Sequence, residues 1–72
     1  MIATLRVGAK VSWHYGSGTA HGRVVDIFER RVQRTLKGAK VTRNGSAKNP
    51  AVLVETEGGD RALKLRSELS VG

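Results

Sequence analysis

No cysteine occurs in this 72-residue sequence, proline occurs once, and tryptophan, tyrosine and phenylalanine occur once each. Without thiols, neither disulfides nor thiolate metal sites supplement the core. No stretch approaches the roughly 18 apolar residues of a membrane-spanning helix, and the opening MIATLRVGAK lacks the apolar run of a signal peptide. The expectation is a soluble, cytoplasmic protein with no membrane span. Three rings are too few to form several stacking platforms, which argues against sequence-specific capture of single strands. Acids are scarce as well, with six Asp and Glu against thirteen Lys and Arg, a formal net charge of +7 and a pI near 10.9. A chain of this length is expected to form one domain, residues 1–72. Such a domain buries only about 60% of the surface its unfolded form exposes, which leaves little room for a catalytic cleft.

Acidic residues are missing altogether from Arg30 to Lys48, RRVQRTLKGAKVTRNGSAK. The stretch holds Arg30, Arg31, Arg34, Lys37, Lys40, Arg43 and Lys48, so its charge equals that of the whole chain, and the remaining six cations balance the six acids. Localised basicity bears on partners and association rates rather than on fold. A cationic edge that merely prevents strand-to-strand aggregation is the plain alternative. A surface serving solubility alone, however, would mix both signs.

Periodicity points to strands. Val11, Trp13 and Tyr15 alternate with Ser12 and His14 in a half-buried pattern, and Gly16-Ser17-Gly18 ends it with a turn. Residues 19–29 form a longer run in which Gly22 predicts a bulge or bend. Beyond it Arg23, Val25 and Ile27 oppose Val24, Asp26 and Phe28, two partly apolar faces that suit a strand serving two sheets. Within the basic stretch Val32, Arg34 and Leu36 alternate with Arg31, Gln33 and Thr35, Lys37-Gly38-Ala39 can turn, and Lys40–Arg43 returns. That predicts a basic hairpin or flap at 30–48, with cations on both faces, suited to insertion between phosphate strands or wrapping along one. A helix over 29–37 is the competing reading, with Val32 and Leu36 as its buried stripe. Residues 44–50 read as loop, Val52 and Val54 begin a strand running to Glu57, and Gly58-Gly59-Asp60 turns it into Arg61–Leu65. Arg66-Ser67-Glu68-Leu69 predicts one helical turn, and residues 70–72 a last edge. Five or six short strands without a long helix predict an all-β fold, a small barrel.

The segments Val7-Gly8-Ala9-Lys10-Val11-Ser12-Trp13, Gly18-Thr19-Ala20-His21-Gly22-Arg23-Val24-Val25, Leu36-Lys37-Gly38, Val41-Thr42-Arg43-Asn44 and Lys64-Leu65-Arg66-Ser67-Glu68-Leu69 resemble, in order and spacing, the bacterial and fungal hypervirulence-associated Tudor-domain family. The resemblance covers nearly the whole chain. It implies an SH3-like or Tudor-like barrel of about five strands with one short helical turn near the C-terminus, and no particular activity. Relatives are often acidic in the loop before the third main strand, where this chain has Gly45-Ser46-Ala47-Lys48, so the basic loop is a feature of this member.

Other constellations favour plain readings. His14 and His21 have no nearby carboxylate and read as surface strand residues rather than metal ligands. Ser17 lies between glycines without a following helix or a Gly-Lys-Ser/Thr, so it marks a turn and not a phosphate loop. Asn44-Gly45-Ser46 fits a glycosylation acceptor but reads as a turn in a chain expected to stay inside the cell. Asp26, Glu29, Glu55, Glu57 and Asp60 show no pairing cue, and no nucleophile set occurs, so an enzyme is not expected. Tudor barrels are known for capturing methylated cations in aromatic cages. Here Trp13 is expected to face the core beside Val11, and Tyr15 to be the most exposed ring.

The expectation is a non-enzymatic binding module that uses no small-molecule cofactor. Its predicted contacts to DNA or RNA are Arg30, Arg31, Arg34, Lys37, Lys40, Arg43 and Lys48, with Tyr15 and Trp13 at most assisting by stacking. The alternative partner is an acidic protein segment docked as on an interaction adaptor.

Overall fold

The computed structural model describes residues 5–36 and 38–71. Seven strands follow one another: β1 (Lys10–Tyr15), β2 (Gly18–Phe28), β3 (Arg31–Leu36), β4 (Ala39–Asn44), β5 (Ala51–Thr56), β6 (Arg61–Leu65) and β7 (Ser70–Val71), with a 3-10 turn at Arg66–Glu68 before the last. All pairings are antiparallel, in a five-stranded sheet ordered β6-β5-β2-β1-β7 and a two-stranded β3-β4 hairpin. The protein is thus a small all-β, Tudor-like, barrel-like fold whose only helical element among the described residues is the expected turn near the C-terminus. The helix considered for 29–37 is not adopted. β3 satisfies its backbone against β4, buries Val32 and half-buries Leu36, its two apolar residues, on one face.

Ala51, Val52, Leu53 and Val54 of β5 are all buried, and they divide the core. Val52 and Val54 join Val11, Trp13, Val24 and Leu69 on one face of the sheet, while Ala51 and Leu53 join Val32 and Leu63 on the other. The alternation expected for β5 is present, but both of its faces are covered. The short apolar run Ala-Val-Leu-Val is the pattern of a strand buried on two sides.

The irregularity of β2 falls between Val24 and Asp26, where the register against β5 shifts, and not at Gly22. The extra residue resets the alternation, so that Val24 and Ile27 both serve the Trp13 core while Val25 and Phe28 serve the other. β2 therefore supplies two cores from within one sheet, instead of passing between two sheets. Gly22 has a different role. A Cβ there would collide with the Glu55 carbonyl oxygen and stand 3.1 Å from the Trp13 ring, so its missing side chain lets β2 and β5 close beneath the indole.

The β3-β4 hairpin lies alongside β6 and lays Val32, Leu36 and Val41 over Ala51, Leu53, Leu63 and Leu65. Burying Val32 contributes on the order of 1.5–3 kcal/mol to that seam. Its base is closed by the Gly45 N–H donating to the Arg30 carbonyl oxygen at 3.2 Å. A Cβ on Gly45 would stand only 2.6 Å from the Phe28 carbonyl oxygen and the Ala51 nitrogen, so glycine is required where the hairpin, β2 and β5 meet. The 45–50 loop is tied to the 3-10 turn. Asn49 Nδ2 donates to Ser67 Oγ at 3.2 Å, the Ser67 N–H to Asn49 Oδ1 at 2.9 Å, and the Arg66 N–H to the Pro50 carbonyl at 2.8 Å.

Candidate functional site

The register of the hairpin sorts its side chains. Arg31 pairs with Asn44, Gln33 with Thr42 and Thr35 with Lys40, which places these six on the outward face. Val32 pairs with Arg43, Arg34 with Val41 and Leu36 with Ala39, which turns that set toward the sheet. The outward face is cationic or neutral hydrogen-bonding at every position and carries no acid. Cations stand on both faces, as expected, with Arg31 and Lys40 outward and Arg34 and Arg43 inward, but the inward face packs on β6 and β5 through Val32, Leu36 and Val41, so the ribbon has one open face instead of two.

The basic residues of the stretch occupy distinct settings. Arg31 and Lys40 are exposed on the outward face, and Lys48 is exposed in the 45–50 loop. Arg30 and Arg34 converge on Phe28, with their guanidinium carbons 5.4 Å and 4.8 Å from the ring centroid. Arg43 is engaged elsewhere. Its Nε lies 3.5 Å from Glu68 Oε1 and its Nη1 donates to the Thr42 carbonyl oxygen at 3.0 Å, which staples β4 to the 3-10 turn. Glu68 Oε1 also accepts the Leu65 N–H at 2.9 Å. Among the described residues Arg43 is the one cation of the stretch that pairs with a carboxylate; the second ion pair, Arg61–Glu55 at 3.1 Å, lies outside it. Lys37 lies outside the described residues.

Phe28 is the residue that sequence reasoning passed over. Its signal was the placement of Arg30 and Arg34 around the sole phenylalanine, hidden by a bulge that altered the facing of β2. The other rings are set apart from it. Trp13 is buried in the core on the opposite face of the sheet, and Tyr15 is exposed at the end of β1, packed over Gly18. The three rings do not converge on one pocket.

An open cleft of about 530 Å³ lies over β1, β2, β5 and β7, with Lys10, Ser12, His21, Arg23, Glu55 and Glu57 on its walls. Its two cations face two carboxylates, one of which, Glu55, is held by Arg61. His14 is elsewhere, its Nδ1 3.4 Å from Thr19 Oγ1. Among the described residues no group of three or more His, Cys, Asp or Glu is placed to hold a metal ion, and no helix is long and apolar enough to cross a membrane.

A small all-β domain of this construction, offering a surface of charge and hydrogen-bonding groups, belongs to a class whose members in general bind macromolecular partners and do no chemistry. The family model of the hypervirulence associated proteins TUDOR domain matches residues 8–69, and the chain belongs to that family. No curated protein and no solved structure matches the chain significantly.

Proposed function

We propose that the protein is a single-domain, non-enzymatic, cytoplasmic module that binds DNA or RNA with low sequence specificity through the 30–48 segment. One observation carries this reading. On the outward face of the hairpin Arg31 and Lys40 accompany Gln33, Thr35, Thr42 and Asn44, and neither these two cations nor Arg30, Arg34 and Lys48 beside them in the segment have a carboxylate partner among the described residues. Lys and Arg with interspersed amide and hydroxyl groups are the side chains that hold phosphate and sugar without reading bases. Arg is favoured because its planar fork meets phosphate oxygens in pairs. Trp13, being buried, offers no platform for a base, which leaves Tyr15 as the one exposed ring for stacking.

The test is a fluorescence-anisotropy titration with duplex DNA and with single-stranded RNA across a salt series. With about five phosphates engaged, log K against log salt on duplex DNA has a slope of about −4.5. A slope near zero, or no binding at low salt, refutes the proposal. Saturable binding of an acidic protein segment, indifferent to added nucleic acid, would point instead to an interaction adaptor.

A further inference from the structure

We infer that Phe28 is the base of a two-arginine clamp, in which the guanidinium groups of Arg30 and Arg34 are gathered at one ring to take a single phosphate between them. The clamp itself rests on geometry; that its phosphate belongs to a nucleic-acid backbone rests on the function proposed above.

Two guanidinium groups repel each other, and holding both near one place normally calls for a carboxylate. None pairs with Arg30 or Arg34 among the described residues. The electron-rich phenyl ring attracts both, with their guanidinium carbons 5.4 Å and 4.8 Å from its centroid, and that attraction offsets their repulsion only in part. An anion bridging the pair completes the compensation.

Each side chain is also tethered by one bond to main chain. Arg30 Nη1 donates to the Arg31 carbonyl oxygen at 3.4 Å and Arg34 Nη1 to the Gln33 carbonyl oxygen at 3.0 Å. A guanidinium has five N–H donors, so most of each fork stays free for phosphate oxygens. The base is held by its strand and by packing. Phe28 pairs with Ala51 in the β2–β5 ladder and packs on the Leu53–Leu63 core. Ordering long side chains is a principal cost of binding with arginine, and here much of that ordering precedes the ligand. Arg43 has a similar main-chain tether but ends on Glu68, so it lacks the free fork that defines the clamp.

Phe28→Leu removes the ring and keeps every charge. The expected result is about tenfold weaker binding to duplex DNA at 0.1 M salt with an unchanged salt slope, since the number of phosphates neutralised is the same. The double variant Arg30→Lys/Arg34→Lys keeps charge and core but loses planarity, and the same pattern is expected. It decides the matter should Phe28→Leu fail to fold. Parent-like affinity in the lysine variant, or in a folded Phe28→Leu, overturns the clamp while leaving the broader function standing. Inorganic phosphate titrated into the parent, followed by NMR at the arginine Nε–H groups, is a separate arm. Shifts centred on Arg30 and Arg34, and lost from those same groups in a folded Phe28→Leu, support the clamp even if the parent proves not to bind nucleic acid. Shifts spread evenly over all exposed arginines overturn it.

Discussion

Replacing Arg31 by Gln and, separately, Arg43 by Gln removes one positive charge each from positions twelve residues apart in the same hairpin, with opposite consequences. Arg31 is exposed on the outward face and no described carboxylate pairs with it. Its loss changes stability by no more than about 0.5 kcal/mol. One fewer phosphate neutralised flattens the duplex salt slope by about 0.9, equivalent to about eightfold weaker binding at 0.1 M salt and no difference near 1 M. Arg43 is the reverse case. Its ion pair with Glu68 is 3.5 Å long between side chains 33% and 39% exposed, so it contributes well under the value of a buried pair. Together with the bond to the Thr42 carbonyl, about 0.5–1 kcal/mol is at stake, or about 2–8 °C in Tm for a domain of this size. The salt slope of Arg43→Gln stays at the parent value. Thermal melts by circular dichroism and anisotropy titrations at four salt concentrations measure both quantities. Equal flattening of the slope in the two variants refutes the distinction between paired and free cations, and an unchanged slope in Arg31→Gln removes the outward face from the contact.

Two further outcomes concern the framework. Gly22→Ala forces a Cβ into the Glu55 carbonyl beneath Trp13 and is expected to cost about 2–4 kcal/mol in urea unfolding, whereas Gly58→Ala, where the added carbon meets only Thr56 Oγ1 at 3.9 Å, stays near the parent. Asn49→Ala takes both side-chain bonds from Ser67 and is expected to cost about 1–2 kcal/mol, visible as faster amide exchange at Ser67.

The strands that the sequence announced are those whose patterns are local. The alternation of Val11, Trp13 and Tyr15, the turn residues around Gly58-Gly59-Asp60 and the helical turn at Arg66–Glu68 all rest on neighbours within a few residues. The β2 irregularity was legible in kind but misplaced, because glycine is only one way to accommodate a bulge and here the pairing with β5 decides where the extra residue goes. Gly22 is instead explained by a close approach from Glu55, more than thirty residues away, which no local pattern encodes. The candidate site divides in the same way. That positive charge is concentrated between Arg30 and Lys48 is a property of composition. That Arg43 spends its charge on Glu68, and that Arg30 and Arg34 share Phe28, depends on how the hairpin docks.

The double burial of β5 bears on how the charged surface behaves as a mechanical object. Lifting the hairpin away would strip cover from Ala51 and Leu53, whose neighbours Val52 and Val54 anchor the opposite side of the same strand. Local opening of the hairpin is therefore expected to be coupled to loosening of the core, which amide exchange would show as protection of the Val32 neighbourhood approaching that of β5. A ligand gripping the hairpin is accordingly expected to stabilise the entire molecule, by about 2.7 kcal/mol at a hundredfold excess over its Kd and with a raised melting temperature, instead of quieting a loose appendage.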